Sequence, residues 1–229
     1  MNSSKETARD APYFETSGAL LLAAKDWSGI VENFPYGLGA LIFYILLYQS
    51  ELVPRWLSAW GLVAAALMLA TGFLRMFGFG VIYLAIPLIL NELVLAVWLI
   101  VEGFTSSTIA FVIVGALFIT ALVSVMLNGS GSFDDPEYLS ATSPNENKVL
   151  RGVFFQIVLT ASVVAIPIIM FPIFREHNEI LALGYVVARI FEGFFDVLIA
   201  LCMLMLLTLS REFVKAGTPS AKIGIDEIK

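Results

Sequence analysis

The stretch at residues 181–209 reads LALGYVVARIFEGFFDVLIALCMLMLLTL and is long and apolar. Its charged side chains are Arg189, Glu192 and Asp196, and nearly all the other residues are apolar. About 20 apolar residues suffice to cross the hydrocarbon core of a bilayer as an α-helix. The stretch lacks the alternation of polar and apolar residues that a membrane β-strand requires. It therefore predicts a transmembrane helix.

The rest of the chain has the same character. Of the 229 residues, 59% are hydrophobic and 14% are charged, whereas a soluble domain has about 45–50% and about 25%. The formal charge of −6 argues against nucleic acid as a partner, since phosphate binding needs clustered Lys and Arg. One cysteine, Cys202, and one histidine, His177, cannot supply an intrachain disulfide or a multi-ligand zinc site. Neither a metal nor a cofactor is therefore predicted.

Further apolar runs predict the fold class, which is an all-α, polytopic membrane helix bundle in one domain over residues 1–229. It has six transmembrane helices plus one N-terminal interfacial amphipathic helix over residues 13–26. The six spans are expected at about 29–48, 56–77, 83–104, 108–127, 149–174 and 181–209. A polar loop over 128–147 and a polar tail over 210–229 complete the chain.

Prolines and basic residues add two expectations. Pro87, Pro167 and Pro172 fall inside spans and predict kinks, because each removes a backbone hydrogen bond. Six basic residues flank the spans on the side of the termini and two flank them on the other side: Lys25, Arg75, Lys148, Arg151, Arg211 and Lys215 against Arg55 and Arg175. This count favours cytoplasmic termini.

A polar stripe runs along the sixth span. Tyr185, Arg189, Glu192 and Asp196 follow one another at spacings of four, three and four, which places them in a stripe about 60° wide on one helix face. Arg189 and Glu192 are close enough to pair within the helix. A charge inside a span costs about 2.5–3.5 kcal/mol, so each one requires a partner or a polar cavity.

Other spans add polar side chains to the same interior. Glu92, with Asn91 beside it, lies about 13 Å into the third span, near the bilayer midplane. Gln156 and Thr160, four residues apart on the fifth span, can supply hydrogen bonds. With Glu32 of the first span included, four carboxyl groups face one guanidinium. Protonation, water or a bound cation must then balance the charge.

These residues support two main hypotheses of function. In the first, Glu92, Arg189 and Glu192 line a cavity that binds or transports a small polar ligand, a cation or a proton. Asn91, Tyr185, Asp196 and Gln156 are the further candidates for ligand or ion binding. In the second hypothesis, the protein is a structural or regulatory scaffold whose buried ion pairs serve packing only. A membrane enzyme that uses Glu92 or Glu192 as acid or base ranks third, because the sequence supplies no recognisable nucleophile arrangement or cofactor motif.

Several stretches resemble a known bacterial membrane family. They include ALLLAAKDW at 19–27, LVPRWLSAW at 52–60 and ALGYVVARIFE at 182–192, together with 92–104 and 207–217. They are similar to the family catalogued as domain of unknown function 4386. The resemblance implies the helical membrane fold, a bacterial inner-membrane location with the lipid bilayer as partner, and the importance of Glu92, Arg189 and Glu192. It implies no activity.

The resemblance also concerns the order of the segments. In the family, a segment like 108–127 opens the chain and one like 83–104 closes it, so the order here resembles a circular permutation joined at Thr105-Ser106-Ser107. The family arrangement implies a cytoplasmic position for this joint, which is the opposite of the orientation from the basic count. We prefer the orientation from the basic count, because insertion responds to the charges present in the chain.

Overall fold

The computed structural model describes residues 3–106, 109–127 and 138–217, and these residues form helices and short connections without any strand. The α-helices are α1 (Ser3–Ser50), α2 (Arg55–Met76), α3 (Ile86–Ser106), α4 (Ile109–Leu127), α5 (Tyr138–Thr142) and α6 (Glu146–Gly217). Two 3₁₀ turns, Ile82–Ala85 and Ser143–Asn145, precede α3 and α6.

Among the described residues, five helices are long and apolar enough to cross a membrane. They cover Pro12–Ser50, Arg55–Met76, Tyr83–Glu102, Ile109–Leu127 and Glu146–Lys215. This finding confirms the predicted all-α class with helices of membrane-crossing length. The boundaries of the second and fourth expected spans, 56–77 and 108–127, agree with α2 and α4 to within one residue.

The longest helix, α6, folds back on itself at Asn178. The backbone angles of Asn178 (φ −160°, ψ 102°) are extended rather than helical. Its side-chain Oδ1 accepts a hydrogen bond of 3.0 Å from the Leu181 amide, which is the usual contact of a helix N-cap. Gln156 donates to Asp196 at 2.6 Å. The halves 146–177 and 179–217 are therefore antiparallel neighbours.

We call one end of the bundle the terminal end, because α6 both begins and finishes there and α2 and α4 finish there. Arg211, near the end of α6, pairs with Glu146 at its start. The aromatic ring of Phe213 lies 5.8 Å from that of Phe14 in α1. The opposite end carries Pro54 and the turn at Asn178.

The break predicted between an interfacial helix over 13–26 and a first span over 29–48 is not formed, because α1 is one helix of 48 residues. At 1.5 Å per residue it is about 72 Å long. Lys25 pairs with Asp26 at 3.1 Å and Ser28 donates to the Ala24 carbonyl, so the polar residues near the expected boundary are satisfied within the helix. Leu21 and Leu22 pack on a buried apolar cluster that includes residues of α6, which gives the early part of α1 a helical partner.

The polar loop predicted over 128–147 is helical in its last part. Leu139 of α5 is buried, and the amide of Ser143 donates to Ser210 at 2.8 Å, which fixes this turn to the end of α6. Residues 128–137 lie outside the described part of the chain. The first part of the predicted polar tail over 210–229 is helical, since α6 continues to Gly217, and residues 218–229 lie outside the described part of the chain.

The prolines predicted to kink their helices lie in two different settings. Because α3 begins at Ile86, Pro87 occupies its first turn, where the missing amide hydrogen has no helical partner to lose. Helix α6 continues through Pro167 and Pro172, and its non-helical backbone angles occur at Asn178 instead.

Candidate functional site

The buried pair of Arg189 and Glu192 lies on the second half of α6. Arg189 Nη1 donates to Glu192 Oε2 at 2.8 Å and to Oε1 at 3.1 Å, and both residues are 4% exposed. The guanidinium carbon lies 5.2 Å from the ring centre of Tyr36 and 5.5 Å from that of Tyr185. The cation is therefore held by a carboxylate and by two aromatic faces. Its Nε has no hydrogen-bond partner among the described residues.

Glu92 is held by a residue of another helix. The Tyr36 hydroxyl of α1 donates to Glu92 Oε1 at 3.0 Å, and Glu92 is 7% exposed. The same tyrosine ring lies beside Arg189, so Tyr36 connects the carboxyl group on α3 with the ion pair on α6. The sequence analysis did not select Tyr36. A signal was available, because a tyrosine in an apolar span requires a partner for its hydroxyl group.

Asn91 and Tyr185 have packing roles in the structure. Asn91 Nδ2 donates to the Leu57 carbonyl at 3.1 Å. This hydrogen bond joins α3 to the first turn of α2. The ring of Tyr185 stacks on Phe43 at 5.2 Å, and the residue is fully buried. Neither residue lines the cavity that contains Glu92.

Gln156 and Asp196 form a second polar pair between the two halves of α6. Gln156 Nε2 donates to Asp196 Oδ1 at 2.6 Å, and the residues are 3% and 1% exposed. Asp196 Oδ2 has no hydrogen-bond partner among the described residues. Neither residue lines the cavity that contains Glu92, so these sequence-selected residues form two neighbouring polar groups rather than one.

A cavity of about 270 Å³ lies beside Glu92, Arg189 and Glu192, and we call it the inner cavity. Its polar wall consists of Glu32, Tyr36, Glu92, Arg189 and Glu192. The other walls are apolar and come from several helices: Met68, Ala85, Ile89, Phe118, Ala121, Leu122, Val125, Met126, Leu159, Val163 and Ile166. Of the residues selected from the sequence, the cavity brings together Glu92, Arg189 and Glu192.

The chemistry available in the inner cavity follows from this lining. A mostly apolar pocket with a few placed polar groups is typical of a small-molecule site. In the described part of the chain, no three His, Cys, Asp or Glu side chains are grouped to hold a metal ion. The arrangement therefore offers a carboxyl group to the polar end of a ligand and apolar walls to the rest of it.

The fold and this site define a class, namely bundles of helices that are long and apolar enough to cross a membrane and have ionisable side chains in their interior. Within that class, a family model described as "Domain of unknown function (DUF4386)" matches residues 2–103 and 111–225, and the chain belongs to this family. Neither a curated protein nor a solved structure matches the chain. The gap between the matched segments falls at the connection from α3 to α4, where the sequence analysis places the joint of a permuted order. The permuted order stays a prediction.

Proposed function

We propose that the protein binds, and moves across the bilayer, a small organic cation that has an ammonium group and an apolar body. One observation carries this proposal, namely that the carboxyl group of Glu92 lies in the wall of an otherwise largely apolar cavity inside the bundle. The ammonium group would lie at Glu92, and the apolar body would contact side chains such as Phe118 and Ile166.

The charges around the inner cavity favour a cation. Arg189 is already bonded to both oxygens of Glu192, so its charge is largely balanced by that carboxylate. Glu92 and Glu32 then remain as two further acids of the lining. Because uncompensated charge is costly inside a membrane, these groups require protons or a cation. In the proposal, the ammonium group of the ligand supplies the compensating positive charge.

The lining of the inner cavity favours an organic cation over a bare metal ion. Hard metal ions require about six oxygen ligands, whereas most of this lining is hydrocarbon. Apolar walls instead gain free energy by covering the apolar part of a ligand.

The membrane arrangement of the proposal has six spans. Each half of α6 forms one crossing in this arrangement, because the halves are antiparallel and each is long enough to span the bilayer. With the other four long helices, this arrangement puts both ends of the chain on one side of the bilayer. We further propose the bacterial inner membrane as the location and the cytoplasm as the side of the termini, following the basic residues.

A thermal-stability assay of the purified protein in detergent tests the proposal. Phenethylammonium is the probe, and 2-phenylethanol is its neutral analogue. We expect phenethylammonium to raise Tm with increasing concentration, because a ligand that binds only the folded state stabilises it by about 2.7 kcal/mol at 100 times its Kd. The alcohol should have no comparable effect, since it cannot pair with Glu92.

Two variants make this assay specific for the site. Glu92→Gln should fold and should lose the response to phenethylammonium. Glu102→Gln, which changes an acid on the same helix outside the inner cavity, should keep the response. A response that survives in Glu92→Gln, or that the alcohol reproduces, would contradict the proposal.

The scaffold hypothesis retains one supporting observation. Arg189 pairs with Glu192 within one helix, and its guanidinium packs beside the rings of Tyr36 and Tyr185, as in a purely structural ion pair. On that hypothesis the triple variant Arg189→Met, Glu192→Leu and Glu92→Leu stays folded, and the wild type shows no response to any cation. The ammonium assay therefore separates the two functions.

A further inference from the structure

A second cavity, which we call the outer cavity, adjoins the inner cavity toward the terminal end of the bundle. Its volume is about 500 Å³, and Glu32, Val125 and Leu159 line both cavities. Its remaining polar lining consists of Lys25, Asp26, Arg75, Gln156 and Asp196. The outer cavity therefore contains the second polar pair, that of Gln156 and Asp196, which the proposed function has not used.

One oxygen in this cavity indicates a ligand contact. Asp196 is 1% exposed and its Oδ1 is fixed by Gln156, whereas Oδ2 makes no hydrogen bond to the described residues. The hydroxyl group of Thr160 lies close to this carboxyl group but donates to the Gln156 carbonyl at 2.9 Å. Leaving a buried carboxylate oxygen without a donor is energetically costly. A donor supplied by a cationic ligand would remove this cost.

Glu32 stands at the junction of the two cavities and close to the level of Asp196. Helix α1 runs antiparallel to the second half of α6, since Gly39 lies beside Arg189 and Gly29 lies beside Ile199. Residues 32 and 196 are therefore at about the same height. Both are nearer to the terminal end than the pair of Arg189 and Glu192.

The combined lining of the two cavities is acidic. It contains five carboxyl side chains and three cationic side chains, which leaves a formal charge of −2 when all are ionised. Lys25 is paired with Asp26 at the outer rim, and Arg189 is paired with Glu192. Three carboxyl groups, those of Glu32, Asp196 and Glu92, and one cation, Arg75, remain outside these two pairs.

We propose that the outer cavity is a hydrated entry route and a first binding station for the ammonium ligand, open to the terminal end of the bundle only. The ammonium group contacts Asp196 Oδ2 and Glu32 and then passes Leu159 to reach Glu92. This inference rests on the proposed function, because it assigns the route and the side of entry to the same ligand. An ammonium ion at this station competes with Arg75 for Glu32.

Cysteine labelling in membrane vesicles tests the route. Leu159→Cys is made in a Cys202→Ala background, so that the introduced thiol is the only one in the chain. The vesicles are treated from either side with one of two membrane-impermeant methanethiosulfonates, the cationic trimethylammonium-ethyl reagent or the anionic sulfonatoethyl reagent. We expect Leu159→Cys to react from the terminal side only, and at least ten-fold faster with the cationic reagent.

Three control cysteines calibrate the reaction. Lys215→Cys and Glu176→Cys, exposed near opposite ends of the bundle, report the side of the membrane and the intrinsic rate ratio of the two reagents. Ile157 lies two residues before Leu159 on an exposed apolar face, which the proposed arrangement places against lipid. Ile157→Cys should therefore react with neither reagent. Adding Glu32→Gln and Asp196→Asn to Leu159→Cys should return its rate ratio to that of the exposed controls.

The labelling outcome is independent of ligand binding at Glu92. Reaction of Leu159→Cys from the opposite side, equal rates with both reagents, or no reaction while the exposed controls react would each overturn the inference. If the labelling succeeds but phenethylammonium gives no stabilisation, the proposed function fails and the hydrated acidic cavity remains. If the stabilisation succeeds and the labelling fails, the ligand reaches Glu92 by another route.

Discussion

Replacing Glu192 with Leu should destabilise the protein by about 3–5 kcal/mol, which is the usual cost of removing one partner of a buried ion pair. Arg189 and Glu192 are each 4% exposed, so Glu192→Leu leaves a buried guanidinium without its carboxylate in a largely apolar cavity. Glu92, the other carboxyl group nearby, is on another helix, where Tyr36 donates to its Oε1. The measurement is reversible unfolding in detergent, followed by circular dichroism.

The double variant Arg189→Met and Glu192→Leu is the matched control for this prediction. It removes both charges and keeps apolar side chains of similar length, so it should recover most of the lost stability. An exposed pair provides the comparison. Glu212→Leu removes the partner of Lys215 at the surface and should lower the free energy of unfolding by about 1 kcal/mol or less. A stability of Glu192→Leu within about 1 kcal/mol of the wild type would contradict the structural role of the pair.

Replacing Gly115 with Ala should destabilise the packing of α3 on α4 by about 2 kcal/mol. A Cβ atom at Gly115 would lie 2.7 Å from the backbone oxygen of Ala96, and a backbone atom cannot rotate away. The two helices must therefore separate. Because α3 carries Glu92 and α4 carries Phe118, the inner cavity should widen and the response to phenethylammonium should weaken.

Gly184→Ala is the matched control for this second prediction. A Cβ atom at Gly184 lies 3.6 Å from Ile42, which is an ordinary contact distance. Since alanine favours a helix by up to about 1 kcal/mol over glycine, this variant should be neutral or slightly stabilised. Equal unfolding free energies for Gly115→Ala and Gly184→Ala would show that α3 and α4 are less closely packed than the structure indicates.

Much of the fold can be predicted from the sequence, because a bilayer fixes helix length and excludes charge. Runs of about 20 apolar residues locate α2 and α4 closely. Hydropathy alone cannot locate the end of a helix that continues past the apolar run. Residues 13–28 form part of α1 because they pack on the end of α6, and α5 forms because Leu139 is buried there. These are tertiary contacts that a local pattern does not contain.

The candidate site could be predicted in part, for a similar reason. The i,i+3 spacing of Arg189 and Glu192 lies within one helix, so their pairing follows from helix geometry. The positions of Glu92 and Tyr36 depend on how α1 and α3 are placed around α6, which the sequence does not specify. For the same reason, the sequence could not show that Asn91 contacts α2 and that Asp196 lies in a separate cavity.

Modification of Glu92 by a carbodiimide is the most direct test that this carboxyl group faces a cavity that a ligand can enter. Dicyclohexylcarbodiimide is apolar, enters membranes and reacts with carboxyl groups in apolar surroundings, and peptide mass spectrometry locates the adduct. We expect a stable N-acylurea adduct at Glu92 without ligand. With phenethylammonium present, this adduct should be lost or replaced by the phenethyl amide of Glu92, because the bound amine can capture the activated carboxyl group as the urea leaves. 2-Phenylethanol should leave the N-acylurea unchanged. A folded protein in which Glu92 stays unmodified, or in which phenethylammonium does not change its modification, would contradict the account.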